Sequence, residues 1–258
     1  MPKTLFVLST TSLTAMKQQD KIEGRNPVTE AIKSGREIDK LLVSAREGSI
    51  KKIVAMAKEK GIVVQEVVRT KLDELSETGA HQGVIALVAA HDYATVEDIL
   101  ANAEQKGEKP FIILLDEITD PHNLGSILRT ANATGAHGVI IPKRRSVGLS
   151  SVVAKTSAGA LEYTPVARVS NLAQTIDKLK EQGIWFYATH QDATQAYTEV
   201  DLKGGIGIVI GSEGNGVSRI VAEKCDFLIS IPMKGEINSL NASVAAGVIM
   251  YEALRQRG

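Results

Sequence analysis

The sequence predicts an α/β protein of two domains, a small α/β unit over residues 21–90 and a doubly wound α/β domain with a parallel sheet over residues 111–258. Short apolar runs alternate with amphipathic helical segments, and this alternation favours mainly parallel strands covered by helices. The run "FIILLDEI" from Phe111 is almost continuously apolar, which is typical of a parallel strand buried on both faces. The polar segment 91–110 separates the two patterns, and we expect it to be a connector whose middle can form a helix capped by Thr95.

Composition and charge indicate a soluble globular protein. Hydrophobic residues make up 43% and charged residues 23% of the 258-residue chain. No apolar run approaches the ~20 residues of a membrane-spanning helix. The formal net charge is zero, so any contact with nucleic acid must come from a local patch. The run "KRR" at 143–145 is the best such patch, although charge alone favours a solvated loop there.

Cysteine and histidine usage argues against disulfides and metal sites. The single cysteine, Cys225, excludes an internal disulfide and a thiolate metal cluster, and it favours a cytoplasmic protein. The five histidines lack metal-ligand spacing, so we predict no metal site.

The first domain follows an N-terminal extension, residues 1–20, for which disorder is one interpretation and Met16 an alternative natural start. A helix is predicted over "NPVTEAIKSG", with Pro27 in its first turn and Gly35 at its end. The remaining elements are the strand "KLLVS", the helix "SIKKIVAMAKEKG" with Ile50, Ile53, Val54 and Ala57 on one side, the strand "IVVQEVV", the short helix "TKLDELS" opened by Thr70, and the strand "GVIALVA".

The second domain repeats the pattern at larger scale. After the strand at Phe111, a helix is predicted over 122–134, and a well-marked helix at "NLAQTIDKLKEQG" has Asn171 as a candidate cap and Gly183 as a stop. The other elements are the strand "GVIIP", a helix around 150–159, the strands "IWFYATH", "IGIVIG" and "FLISIPM", and the final helix "SLNASVAAGVIMYEALRQRG".

Two generic nucleotide-binding motifs are absent from the sequence. The turn "GSEGNGVS" lacks the lysine of a phosphate-binding P-loop. The turn after the first strand of the second domain, "TDPHNLG", lacks the glycine spacing of a dinucleotide fingerprint. Both absences argue against the interpretation of the chain as a small-molecule enzyme that uses nucleotide cofactors.

Three polar segments instead follow predicted strands, at the sheet edge where open α/β sheets bind ligands. They are "TDPHNLGSILRT" (119–130), "IVIGSEGNGVS" (208–218) and "ISIPMKGEINSLNASVAAG" (229–247). Each segment also has a purely structural interpretation. Asn123 could cap a helix, Glu213 could cap the helix that follows it, and small residues after Ser239 could serve close packing.

Together the three segments resemble the motifs of the SpoU branch of the SPOUT (trefoil-knotted) RNA methyltransferases, in the expected order over 111–258. The resemblance implies a trefoil knot in the C-terminal domain, S-adenosylmethionine as cofactor, and methyl transfer to a ribose 2′-hydroxyl. It also implies a homodimer formed through this domain, with the active site completed at the interface. Upstream, "GRNPVTEAIKSG" and "ETGAHQGVIALV" resemble the ribosomal-protein-like RNA-binding domain of the bacterial enzymes that methylate a guanosine in 23S ribosomal RNA.

The resemblance implies roles for individual residues. The implied catalytic residues are Arg129, Asn123, Glu213, Ser239 and Asn241. The implied cofactor-binding residues are Thr189, His190, Ile210, Gly211, Glu213, Gly214, Ile231, Met233, Leu240 and Asn241. We expect RNA contacts from Arg25, Asn26, Lys143, Arg144 and Arg145.

Two other functions stay open at this point. A tRNA ribose methyltransferase would differ only in its substrate, and the N-terminal domain argues against it. A non-catalytic RNA-binding or ribosome-assembly protein of the same fold would not need Arg129, Asn123 and Glu213 together. The proton acceptor is open too, because an arginine with a pKa above ~12 is a poor base.

Overall fold

The computed structural model describes residues 16, 17, 19–45, 48–191, 193–236 and 239–258, so the prediction for residues 1–15 lies outside the described residues. The chain divides into two compact units. The first runs to Asp92 and includes Gly148–Val152, and the second comprises Tyr93–Val147 and Val153–Gly258. None of the helices in the described ranges is long and apolar enough to cross a membrane.

Among the described residues, the first unit contains a four-stranded sheet and three helices. Its elements are β1 (Lys21–Glu23), α1 (Arg25–Lys33), β2 (Ile38–Val43), α2 (Gly48–Glu59), β3 (Val64–Glu66), α3 (Arg69–Leu75) and β4 (Val84–Val88). The strand order is β1-β4-β2-β3. The expectation of mainly parallel pairing is wrong here, because β4 pairs antiparallel with both β1 and β2, and only β2 and β3 are parallel. An apolar strand pattern predicts burial, but it does not specify the direction of the neighbouring strand.

Helix α2 buries the apolar face that the sequence predicts. Ile50, Ile53, Val54 and Ala57 of α2 are all buried in the core beneath the sheet. Helix α3 begins one residue before the predicted Thr70, at Arg69, after Val68 as its cap residue.

The second unit is a seven-stranded parallel sheet flanked by helices, which confirms the predicted α/β fold. Its elements are α4 (Val96–Gln105), β5 (Phe111–Leu115), α5 (Pro121–Ala133), β6 (Gly138–Pro142), α6 (Ser151–Thr156), a 3₁₀ turn (Ala160–Glu162), β7 (Val166–Val169), α7 (Leu172–Lys180), β8 (Trp185–Thr189), β9 (Gln195–Ala196), β10 (Ile206–Ile210), α8 (Arg219–Ala222), β11 (Phe227–Ser230) and α9 (Ala242–Arg257). The strand order is β7-β6-β5-β10-β8-β11-β9, and every neighbouring pair is parallel.

Segment 91–110, expected to be a connector with a helix capped by Thr95 in its middle, belongs from Tyr93 onward to the second unit. It contains α4, which begins with a capping box between Thr95 and Asp98. Ile99 and Ala103 of this helix are buried, and Ile99 belongs to the core of the second unit. The helix is an integral part of that unit because its few apolar residues fall on one face, although most of the segment is polar.

The three polar segments follow β5, β10 and β11 and therefore lie at the carboxyl edge of one parallel sheet. β10 lies between β5 and β8, so the loops after these three strands are neighbours although they are far apart in sequence. Helix α9 packs against α5, the helix that follows β5. The carboxyl edge of the sheet and the starts of α5 and α9 therefore meet.

Candidate active site

A cavity of about 190 Å³ opens at the carboxyl ends of β8, β10 and β11. It is lined by Thr189, His190, Gln191, Ile210, Gly211, Ser212, Glu213, Gly214, Asn215, Gly216, Ile229, Ser230, Ile231, Met233, Ser239, Leu240, Ala242 and Ala245. The lining includes every residue predicted to bind a cofactor except Asn241. Apolar side chains of isoleucine, leucine and methionine share this lining with hydroxyl, amide and backbone groups, which suits a ligand with a flat apolar ring and polar substituents.

A hydrogen-bonded network joins residues from all three polar segments beside this cavity. Asn123 Nδ2 donates to Glu213 Oε1 over 3.1 Å, and Asn241 Nδ2 donates to Asn123 Oδ1 over 2.9 Å. Asn241 Nδ2 also donates to Glu213 Oε1, which accepts the backbone N–H of Ala242 over 3.3 Å. One carboxylate oxygen thus holds two asparagines and the start of α9 together.

The local sequence explains why Asn123 is available for this network. Asp120 is the cap residue of α5, its side chain accepts the His122 N–H over 2.8 Å, and Pro121 begins the helix. The cap is therefore filled without Asn123, which is buried with 8% of its surface exposed. Capping is the wrong explanation for Asn123. Likewise, Glu213 does not cap α8, the helix that follows it, because the cap residue of α8 is Ser218. The Glu213 carboxylate instead accepts the Ala242 N–H at the start of α9.

Asn241 has two functions at the start of α9. Its Oδ1 accepts the backbone N–H of Ser243 over 3.0 Å and of Val244 over 3.3 Å, so it caps the helix. Its Nδ2 points into the network with Asn123 and Glu213. Capping fixes the side chain and so holds its amide donor in place for the network.

The glycine-rich loop after β10 folds back on itself. Ser212 and Gly216 exchange backbone hydrogen bonds of 3.2 and 2.8 Å. A Cβ on Gly211 would lie 1.9 Å from the carbonyl carbon of Gly216, and Gly216 itself has a φ of +62°. Gly214 has neither restriction, since nothing lies within 4 Å of its Cβ position. Packing within the loop therefore requires glycine at position 211 and favours glycine at position 216. It does not explain glycine at position 214, where close approach of a ligand is the remaining reason.

Sequence reasoning missed Asp116, which anchors this loop. The residue follows β5 directly, is buried with 6% exposure, and accepts the Ser218 N–H at Oδ2 over 2.8 Å. Its only sequence signal is an acidic residue at the end of a buried apolar strand. A carboxylate buried there needs a donor, and the Ser218 amide supplies it.

Arg129 and Ser239 stand apart from the network. Arg129 lies on α5 and is exposed, and its guanidinium has no hydrogen bond or ion pair within the described part of the chain. Ser239 lines the cavity and is exposed. The structure therefore brings Asn123, Glu213 and Asn241 together, whereas Arg129 lies on the exposed side of α5.

The residues expected to bind RNA fall in two places. In the first unit, Arg25 donates from Nε to the carbonyl of Gln82 over 3.1 Å and from Nη1 to Ser49 Oγ over 3.0 Å, and Asn26 is exposed. In the second unit, Lys143, Arg144 and Arg145 follow β6. These cations lie in loops or at a helix start, where side chains can reach a nucleic acid.

Other reactive groups do not add to the site. Burial raises the pKa of the Cys225 thiol to about 12, so it is a poor nucleophile. Across the described residues, no three His, Cys, Asp or Glu side chains come together as a metal-binding group.

Family models match both units. The model of the SpoU rRNA Methylase family matches residues 110–251, and the model described as RNA 2′-O ribose methyltransferase substrate binding matches residues 21–94. A Bacillus subtilis protein assigned by name to the TrmH family of tRNA/rRNA methyltransferases, YacO, is 51% identical over 243 residues, which cover 93% of this chain and 97% of that protein.

Solved structures are similar as well. The SpoU methyltransferase AviRb from Streptomyces viridochromogenes, crystallised in complex with AdoMet, is 25% identical with a TM-score of 0.59, and the match covers 96% of each chain. The A. aeolicus TrmH/SpoU tRNA modifying enzyme is 32% identical with a TM-score of 0.53, and the match covers 58% of this chain and 76% of that chain.

Proposed function

The chain belongs to the SpoU rRNA methylase family, and on this premise we propose that it transfers a methyl group from S-adenosylmethionine to the ribose 2′-hydroxyl of a guanosine in 23S ribosomal RNA. Family membership makes it an RNA methyltransferase with S-adenosylmethionine as cofactor. The observation that supports the proposed site is the network of Asn123, Glu213 and Asn241 at the rim of a cavity formed by three strand ends.

The cavity fits this cofactor on its own chemistry. Ile210, Leu240 and Met233 offer apolar surface for the adenine ring, and backbone groups at the strand ends offer donors and acceptors for its edge. Gly214 leaves space for close approach of a ligand to the loop backbone. When bound, S-adenosylmethionine supplies a methyl group on a positively charged sulfur.

The protein's part in the reaction is to position the ribose. Methyl transfer needs an in-line approach of the 2′-oxygen and a fixed nucleic-acid backbone. Arg129 stays protonated and its planar guanidinium can bind a phosphate with two hydrogen bonds, so we assign it to the phosphate beside the target ribose. Asn123, Glu213 and Asn241 hold the rim of the site rigid, and the Ser239 hydroxyl lies where it can bind the substrate.

The fold proposal includes the trefoil knot and a homodimer. Helix α9 would be the element threaded through the knot, since it follows the three strand ends that line the cavity. Val244 and Tyr251 on α9 are 51% and 56% exposed, and a second copy of the chain is the occupant that we propose for this face. Because Arg129 lies on the helix packed against α9, a dimer through this face would bring it near the partner's cavity.

The substrate proposal depends on the first unit. The match to the tRNA modifying enzyme covers 58% of this chain, whereas the match to the substrate-binding model spans residues 21–94, most of the first unit. A separate RNA-binding unit suits a large structured RNA, so 23S ribosomal RNA is our first choice. A tRNA substrate is the second candidate, because the relative from B. subtilis carries both substrates in its family name.

The test is methylation of unmodified 23S ribosomal RNA and of unmodified tRNA with labelled S-adenosylmethionine, followed by mapping of the modified ribose. We expect one guanosine of 23S ribosomal RNA to be labelled. Arg129→Ala should lower turnover about 100-fold or more while binding S-adenosylhomocysteine normally, because it removes an exposed positioning group. Labelling of tRNA alone would overturn the rRNA assignment, and failure of the wild type to bind S-adenosylhomocysteine would overturn the methyltransferase site.

A further inference from the structure

An ion pair that the proposed reaction does not use clamps two loops at the carboxyl edge of the second unit's sheet. Glu117 lies in the loop after β5, and Arg145 lies in the loop after β6. Arg145 Nη1 donates to Glu117 Oε1 over 2.9 Å. Beside this pair, the Val147 N–H donates to the carbonyl oxygen of Ile118 over 2.9 Å. One side-chain bond and one backbone bond therefore join the two loops.

Both ends of the ion pair have an unusual backbone conformation. The φ angle is +60° at Glu117 and +56° at Arg145. Non-glycine residues enter this left-handed region rarely, and they stay there only where the surroundings fix them. The ion pair and the backbone bond provide that fixation. The two residues with this rare backbone conformation are thus the two partners of one ion pair, which indicates that the geometry of these loops matters to the protein.

The loop after β6 carries two further cations. In the described ranges of the chain, the side chains of Lys143 and Arg144 have no hydrogen bond or ion pair, and Arg144 is exposed. The Lys143 N–H is bonded to the carbonyl of Val169 over 2.8 Å, so the start of the loop is held by β7. The loop is therefore held at both ends, at Lys143 and at Arg145, and it carries the side-chain charges of Lys143 and Arg144.

We propose that Arg145 is a positioning residue, which holds the loop through Glu117 so that Lys143 and Arg144 bind phosphates of the substrate RNA. This proposal rests on the proposed function, and it revises the simpler expectation that all three cations bind RNA directly. RNA must come to this edge because the cavity opens at the ends of β8, β10 and β11 of the same sheet. Phosphate contacts from lysine and arginine fix the register of a bound nucleic acid.

The variant Glu117→Gln distinguishes a positioning role of Arg145 from direct contact between Arg145 and RNA, because the two roles predict opposite changes in RNA affinity. The change removes a negative charge from an RNA-facing edge, so simple electrostatics, or an Arg145 released to bind phosphate, predicts tighter binding of ribosomal RNA. Positioning predicts weaker binding, by about three- to tenfold for a loop that loses its fixed phosphate contacts. Binding is measured at several salt concentrations without turnover, and S-adenosylhomocysteine affinity serves as the control for folding. Tighter RNA binding by Glu117→Gln would overturn the proposal.

Two more variants test the separate roles in the loop. Arg144→Ala should reduce the salt dependence of RNA binding by about 0.7–0.9 in the logarithmic slope, as expected for one lost phosphate contact. The charge swap Glu117→Arg with Arg145→Glu restores the ion pair, and binding should return to within about twofold of the wild type. If Arg145 binds RNA directly, the swap stays as weak as Arg145→Ala, and the proposal is wrong.

A readout without RNA distinguishes failure of this proposal from failure of the proposed function. Lys143, Arg144 and Arg145 are trypsin sites, so native digestion reports how firmly the loop is held. Glu117→Gln, which keeps all three of these sites, should speed cleavage in this loop several-fold. Unchanged cleavage would disprove the clamp even where RNA binding is intact. If Glu117→Gln is cleaved faster but the wild type binds no ribosomal RNA, the ion pair does hold the loop, and the proposed role of the loop in RNA binding is wrong.

Discussion

Gly211 and Gly214 lie in the same loop, but the protein needs them for different reasons. Gly211→Ala would place a Cβ 1.9 Å from the backbone of Gly216, so the loop must shift, and we expect a loss of about 1–3 kcal/mol in the free energy of unfolding. Gly214→Ala meets nothing within 4 Å and should leave stability unchanged within about 0.5 kcal/mol. Chemical denaturation of both variants measures the difference.

The same pair tests the cofactor site. If the ligand approaches the loop backbone at Gly214, Gly214→Ala should weaken S-adenosylhomocysteine binding by about tenfold, or about 1.4 kcal/mol, without a change in stability. Titration calorimetry on the folded variant gives this number directly. Wild-type affinity in Gly214→Ala would show that the ligand does not need this glycine.

At the residue scale, the sequence predicts which side chains gather at the site but not how they are bonded. Asn123, Glu213 and Asn241 follow predicted strands or begin predicted helices, so their shared sheet edge could be anticipated. The hydrogen bond that the Ser218 N–H donates to Asp116 could not be anticipated, because it joins residues far apart in the sequence and depends on the order of strands in the sheet. Local patterns do not determine that order.

Helix α9 contains an acidic group whose titration should control stability at low pH. Hydrogen bonds from Arg255 and Gln256 lower the pKa of Glu252 from 4.5 to about 2. A lowered pKa means that the ionised form stabilises the folded state above pH 4.5, and that this contribution is lost as the pH falls from 4.5 through about 2. We expect Glu252→Gln to lose less stability than the wild type over this range.

The measurement is the unfolding temperature from about pH 5 to about pH 3, with the exposed Glu104→Gln on α4 as a matched control. The control should follow the wild-type curve, whereas Glu252→Gln should have a flatter one. Parallel curves for the wild type and Glu252→Gln would show that the pKa of this carboxylate is the same in the folded and unfolded states.

Gln256 also donates to the Val200 carbonyl over 3.0 Å, so the same cluster of side chains connects α9 to the loop before β10.

At the element scale, length decides what the sequence can predict. Strand β10 is a continuous apolar run and helix α7 is long enough to show its period. Asn171 caps α7 as predicted by accepting the Gln174 N–H over 3.1 Å. Strands β1 and β9 span three and two residues, too few for any period, and neither is predicted. Helix α4 is missed as part of the second unit because only Ile99 and a few neighbours mark its buried face.

For the whole molecule, the exposed apolar face of α9 predicts self-association. Replacing Val244 and Tyr251 together by Glu would bury two charges in the proposed dimer contact, and we expect a monomer by sedimentation analysis. Ile220→Glu is the matched control, since Ile220 is 66% exposed on α8 and lies outside this face. A dimer that persists in the double variant would place the contact elsewhere, and a monomeric Ile220→Glu would move it to α8.

Mixing two inactive variants tests whether Arg129 acts across that dimer. Arg129→Ala keeps its cavity, and Leu240→Asp places a charge against the proposed adenine site, so each homodimer should be inactive. If Arg129 serves the partner's cavity, the mixed dimer combines one intact cavity with one intact arginine, and activity should return to about one quarter of the wild type after random exchange of chains. If Arg129 serves its own cavity, the mixed dimer has no complete site and the mixture stays inactive. Activity in the mixture would therefore explain why an arginine with no partner among the described residues lies on the exposed side of α5, and why α9, which packs against α5, has an apolar outer face.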